Sequence, residues 1–244
     1  MILGLIPARL QSARLSRKPL LDIDGLPMVI HILKRAQLAK KLNRVIVCTD
    51  SDEIADVVKG YKGEVIKTRS DHINGTERIA EVARKIKCDQ VVDIQCDDVF
   101  VDPSHIDRLV NFHKKNRNFD IIVPYSKLIK KTNESIVKIV SNKFNKVLYM
   151  SRENIPFTYI NKKIIYQKHL DIISFTKKAL IEFSNLSKSY NESYEGIELL
   201  RALDNNYNLG TFSINTNCFS VNTRTDYINA IKKMKFCKIK KKYK

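Results

Sequence analysis

The 244-residue chain predicts an α/β fold built on a mostly parallel sheet with crossover helices. Two observations carry this: strand-like and helix-like patterns alternate through the first half, and helix starts are placed at Asp50-Ser51-Asp52-Glu53 and Asp102-Pro103. A third excludes a nearby alternative. No Gly-x-Gly-x-x-Gly or Walker-type loop occurs, so dinucleotide-binding and P-loop ATPase readings have no support.

The elements follow in order. Residues 2–6 form an uncharged apolar run and predict a buried first strand. A helix over about 27–40, a strand at 44–48, a helix over about 51–60 and a short strand at 64–66 come next. Asp50-Ser51-Asp52-Glu53 supplies side-chain oxygens for a helix start. A helix over about 76–87, a strand at 90–95, a helix over about 103–116 opened by Asp102-Pro103, and a strand at 120–124 complete the first half. Beyond residue 125 the pattern is mixed, with strand-like 136–140, 146–150 and 170–175, and helix-like 176–184, 193–203 and 225–235. No Pro/Gly/Ser-rich linker divides the chain. It reads as one domain over 1–244: a nucleotide-binding half over 1–125, a second half over 126–231 and a basic tail over 232–244.

Composition bounds the function classes. The 43% hydrophobic content suffices for a sizeable core. No run of 18 apolar residues exists and the first residues lack signal-peptide character, so the expectation is a cytoplasmic protein with no transmembrane segment. Five cysteines without a Cys-x-x-Cys pair suggest free thiols. The net charge is +18, and eight lysines with no acid lie between Lys232 and Lys244, leaving +10 for the preceding 231 residues. A solvated, frayed terminus explains that tail. An RNA or membrane-surface role ranks below it, because only Phe236 and Tyr243 are there to stack on bases.

The loop after the first strand carries Arg9, Ser12, Arg14, Arg17 and Lys18. Cations and hydroxyls just past the carboxyl end of a parallel strand can hold a polyphosphate, although a solvated basic turn has the same composition. Asp97 and Asp98 end the fourth strand, where hard-cation ligation and helix capping are both open. Asn74-Gly75-Thr76-Glu77 reads as a capped helix start. Three glutamates at spacing three, Glu192, Glu195 and Glu198, fall on neighbouring parts of one predicted helix face.

Taken in order, Ile6-Pro7-Ala8-Arg9-x-x-Ser12-x-Arg14-Leu15-x-x-Lys18-Pro19-Leu20, Asp24-Gly25-x-Pro27-Met28, Thr68-Arg69-Ser70-Asp71-His72-x-Asn74-Gly75-Thr76-Glu77-Arg78 and Gln95-x-Asp97 resemble the motifs of the 3-deoxy-manno-octulosonate (Kdo) cytidylyltransferases. The likeness is strong to about Pro103 and fainter beyond. It implies a Rossmann-like nucleotidyltransferase fold with an inserted β region that supports a homodimer. It also implies transfer of CMP from CTP to the anomeric hydroxyl of a Kdo-like acidic sugar, releasing pyrophosphate, as a step of lipopolysaccharide biosynthesis. The alternatives are another acidic sugar (8-amino-Kdo or a nonulosonic acid) or a nucleotide-binding relative with weak or no activity.

By the same resemblance, Lys18 and Asp97 are catalytic. Arg9, Ser12, Arg14, Lys18, Arg69, Asn74, Gly75 and Arg78 bind the nucleotide. Gln95, Lys168, His169, Glu195 and Glu198 face the sugar, and Asp97 with Asn222 holds Mg²⁺. The chain departs from the pattern in several places. Arg17 stands at a usual glycine, and Cys96, Asp98 and Val99 alter the Gln-Gly-Asp-Glu-Pro turn. Lys168 replaces an arginine and Ile173 a tyrosine, while Asn222 occupies the place of the second metal-binding aspartate. An amide brings an oxygen but no charge, so a lower metal affinity is expected.

Overall fold

A computed structural model describes residues 1–11, 15–129, 132, 134–159, 164–216 and 220–243. The first apolar run forms β1 (Ile2–Ala8), buried along its whole length. A 3-10 turn at Lys18–Leu20 leads into α1 (Met28–Gln37). Then come β2 (Arg44–Thr49), α2 (Asp52–Gly60), β3 (Glu64–Lys67), α3 (Gly75–Lys85), β4 (Gln90–Ile94), α4 (Pro103–Lys115) and β5 (Ile121–Leu128). Their order is the one the alternating pattern predicts. Ser51, Asn74 and Asp102 cap α2, α3 and α4 by accepting from backbone amides of the first turn.

The second half holds β6 (Lys138–Ser141), β7 (Val147–Ser151), β8 (Tyr166–His169), β9 (Ile172–Thr176), α5 (Lys177–Phe183), α6 (Tyr190–Glu195), α7 (Leu200–Asp204), β10 (Leu209–Ser213) and α8 (Arg224–Met234). All ten strands join one sheet in the order β3-β2-β1-β4-β9-β5-β8-β6-β7, with β10 also paired to β5. Pairing is parallel within β3-β2-β1-β4 and between β5 and β10; β9, β8, β6 and β7 join antiparallel. Helices cover both faces. One apolar cluster packs α1, α2, α4 and α8 against the sheet, and the other packs α3, α5 and α7. Among the described residues no helix is long and apolar enough to cross a membrane.

Two expectations are corrected. Residues 193–203 are not one helix: α6 ends at Gly196, whose φ of 61° is left-handed, and α7 starts at Leu200. Arg201 then folds α7 back onto α6, donating to Glu192 through Nε at 2.8 Å and Nη2 at 2.7 Å. The three glutamates therefore do not share a helix face. Nor is the basic tail frayed. Lys240 is buried and pairs with Asp24, while the Tyr243 hydroxyl lies 2.9 Å from His31 Nδ1 and accepts from Arg35 Nε at 3.2 Å.

Candidate functional site

Parallel strands β1, β2 and β4 end together, with Ala8 beside Thr49 and the β4 terminus next to them, and the loops leaving this edge converge. Lys18 is the centre of the convergence. Its Nζ donates to Asp97 Oδ2 at 3.2 Å and to Asn222 Oδ1 at 3.0 Å, joining residues from three distant parts of the chain. The altered turn after β4 closes without the usual glycine. Asp98 N donates to Gln95 O at 3.4 Å and Val221 N to Asp97 O at 2.9 Å, and Cys96 is absent from the positive-φ positions. A side chain is tolerated there, and burial raises the Cys96 thiol to about 12.

Asn222 is held by its own helix start. Its backbone amide donates to Asp226 Oδ2 at 3.1 Å, while Thr223 and Asp226 form a capping box on α8. Arg17 has a φ of 53°, the left-handed conformation that favours glycine. Its guanidinium pairs with Glu53 on α2, so this extra cation serves the scaffold.

The residues expected to bind the nucleotide lie in the loops around this centre and at the start of α3. Arg9 Nη1 donates to Ile73 O at 3.3 Å, tying the loop after β1 to the loop before α3. Ser12 and Arg14 lie outside the described residues. Gly75 allows α3 to start against β1, since a Cβ there would stand 3.1 Å from Pro7 Cγ. Asn74 accepts from Glu77 N at 2.8 Å. Arg78 points inward to Thr68 Oγ1 and to Asp50 at 3.2 Å, whereas Arg69 lies exposed with Asp71 at 3.4 Å.

The residues expected to face the sugar fall on several elements. Gln95 donates to Asp93 Oδ2 at 2.6 Å. His169 ends β8, and burial pulls its imidazole down to about 4, so it is neutral. Lys168 precedes it, opposite Ser126 and Lys138. Glu198 accepts from Thr76 Oγ1 at 2.9 Å, and burial raises its carboxyl to about 7. Glu195 instead accepts from Ser151 Oγ at 2.5 Å and Arg152 N at 2.8 Å, which fixes the end of β7.

Sequence reasoning passes over Asp171, between β8 and β9. Its Oδ2 accepts from Ser220 Oγ, its carbonyl accepts from Gln95 N at 3.3 Å, and its Oδ1 lies 3.8 Å from His169 Nδ1. No local sequence signal marks it, since its partners Gln95 and Ser220 are distant in the chain. Burial, and after it the charge of Asp171, raises the Asp97 and Asp98 carboxyls, the latter to about 7. Burial lifts Asp93 to about 8.

A cationic amine between a carboxylate and an amide, at the carboxyl edge of a parallel sheet, is the arrangement of an α/β ligand site suited to an anion. Comparison with known proteins narrows it. Residues 3–214 match the family model described as cytidylyltransferase. The 3-deoxy-manno-octulosonate cytidylyltransferase of Fusobacterium nucleatum is 34% identical over 242 residues, covering 98% of each chain. The Escherichia coli protein of that name is 34% identical over 215 residues, covering 86% of each. The solved structure of CMP:2-keto-3-deoxy-manno-octonic acid synthetase complexed with CTP superposes with a TM-score of 0.92 at 30% identity, over 96% of this chain and 98% of that one. HddC from Yersinia pseudotuberculosis, at 14% identity and a TM-score of 0.66, shares the fold. The chain belongs to the cytidylyltransferase family, and within it to the 3-deoxy-manno-octulosonate cytidylyltransferases.

Proposed function

We propose that the protein transfers CMP from CTP to the anomeric hydroxyl of Kdo and releases pyrophosphate. The observation that carries the reading is the meeting of Lys18, Asp97 and Asn222 in a fold that superposes closely on a CTP-bound synthetase. The sugar hydroxyl attacks the α-phosphorus, the bond to the bridging oxygen breaks, and pyrophosphate leaves. Lys18, with Arg9 at the rim, offsets charge on the triphosphate; no protein nucleophile is needed, because positioning and charge neutralisation lower the barrier.

Asp97 Oδ1 is buried and has no hydrogen-bond partner among the described residues, an oxygen suited to a hard cation. The donor set fits Mg²⁺, which Asp97 and the Asn222 amide oxygen would hold. Bound there, Mg²⁺ supplies Lewis-acid polarisation of the phosphoryl group. Gln95, Lys168, His169 and Glu198 form the sugar side. Lys168 offers a point charge for the sugar carboxylate where an arginine fork would bind it in two places. The enzyme works in the cytoplasm as a homodimer. Exposed Phe144, Leu148 and Tyr149 on and beside the outer β6–β7 ribbon support that pairing.

The test is pyrophosphate release from each of the four nucleoside triphosphates, with and without Kdo, at several Mg²⁺ concentrations. Release should require CTP, Kdo and Mg²⁺ together. Release that ignores the sugar, or the identity of the base, would refute the reading.

A further inference from the structure

On the reading above, Asn222 leaves the metal site one carboxylate short of its relatives' pattern, and the structure holds a carboxylate in position to make up the difference. Asp171 hangs from the same two segments that build the site. Its backbone is bonded to Gln95, two residues before Asp97, and its side chain to Ser220, two residues before Asn222. Those segments are themselves joined by Val221 N donating to Asp97 O at 2.9 Å. These bonds bring Asp171 and Asp97 into one small region at the strand ends.

The local charge balance favours a further cation. Among the described residues no lysine or arginine lies within 4.0 Å of Asp171, and the basic group in that range is the His169 imidazole at 3.8 Å. Lys18 is the single amine between Asp97 and Asn222. Two carboxylates beside one amine leave uncompensated negative charge in a partly buried cleft, an unfavourable arrangement that a divalent cation relieves. The Asp171 side chain is 38% exposed, so its carboxylate is not fully enclosed. Asp98, the other nearby carboxylate, is buried and accepts from Phe100 N at 3.2 Å.

We infer that Asp171 supplies the second carboxylate of the Mg²⁺ site, replacing by position the charge that Asn222 lacks. The site is then Asp97, Asp171 and the Asn222 amide oxygen. Two anionic ligands are kept, but one is carried by the β8–β9 connection instead of the α8 start.

The experiment measures Mn²⁺ binding to the full-length protein by electron paramagnetic resonance of free Mn²⁺ at saturating CTP. The wild type, Asp171→Asn, Asn222→Asp and the double variant are compared, with CTP affinity in the absence of metal as a check on folding. Asp171→Asn should weaken Mn²⁺ binding about tenfold or more at unchanged metal-free CTP affinity. Adding Asn222→Asp to it should return the affinity to within about threefold of the wild type, since anionic charge is restored to the same cation. Wild-type Mn²⁺ affinity in Asp171→Asn would overturn the inference, as would a weakening that Asn222→Asp leaves unrepaired. If the wild type bound no CTP, the proposed function would fall and the inference with it.

Discussion

The tail offers a sharp perturbation, Tyr243→Phe, which removes one oxygen and keeps the ring. Arg35 Nε–H donates to the Tyr243 hydroxyl at 3.2 Å, and that hydroxyl donates to His31 Nδ1 at 2.9 Å. The opposite ring nitrogen of His31 then donates to Ile23 O at 2.6 Å, which fixes the neutral tautomer and agrees with an imidazole held near 4, mainly by burial. His31 and Arg35 are both essentially inaccessible, so neither can turn to water when the hydroxyl goes. Leaving a buried polar group without its partner costs about 1–3 kcal/mol. Arg35 keeps its bond to Val101 O at 3.2 Å, which places the expected loss near the middle, about 2 kcal/mol. For a chain of this size that is a fall in Tm of about 4–8 °C. Differential scanning calorimetry at pH 7.5 reads it, with Phe236→Ala as the comparison, since Phe236 is 85% exposed and should shift Tm by little. If Tyr243→Phe melted within about 1 °C of the wild type, the tail would be free in solution and the docking argument would fail.

Three further predictions concern the site and its surroundings. Asp97→Asn should lower kcat by at least about a hundredfold in the pyrophosphate assay, because it removes the anionic oxygen that would hold the Mg²⁺ polarising the phosphoryl group; unchanged turnover would remove Asp97 from the mechanism. The folded state keeps a proton on Asp93 up to about pH 8 while the unfolded chain releases it near 4, so this group makes stability fall as pH rises across that window. His31 and His169 act oppositely between about 4 and 6.5, so the decline should show most clearly from pH 6.5 to 8; urea midpoints for Asp93→Asn should be flatter there, and an unaltered slope would contradict the assignment. Glu195→Ala should reduce Tm more than it raises the sugar KM, given its bonds to Ser151 and Arg152. The reverse ranking would place Glu195 directly on the sugar.

The parallel half was legible because each element there announces itself locally. An uncharged run makes β1, and Ser51, Asn74 and Asp102 stand where caps are needed. In the second half the deciding forces are long-range. Tyr166-Gln167-Lys168-His169 has no strand pattern of its own and becomes β8 only between β5 and β6. Gly196, inside a stretch read as one helix, ends α6 by its left-handed conformation, and Arg201 returns α7 to Glu192. At the site, Lys18, Asp97 and Asn222 could be named from motif order, whereas Asp171 could not, because its relevance lies in contacts with Gln95 and Ser220 far away in sequence. The tail misled for a related reason. A run of lysines hides that Lys240 has an acid and Tyr243 a histidine waiting on α1 and the turn before it.

The placement of β9 between β4 and β5 bears on how the chain is made. Emerging from a ribosome, β1 to β4 can pair among themselves, but β4 presents an open edge until Thr176 has been synthesised. An open edge of Val91, Val92 and Ile94 is a template for pairing with other chains. Contacts bridging more than 80 residues, such as Gln90 with Thr176, also form late and slowly. The nascent nucleotide half is therefore the stage most exposed to aggregation, and a fragment ending near residue 125 should be recovered as insoluble protein unless residues through Thr176 are supplied.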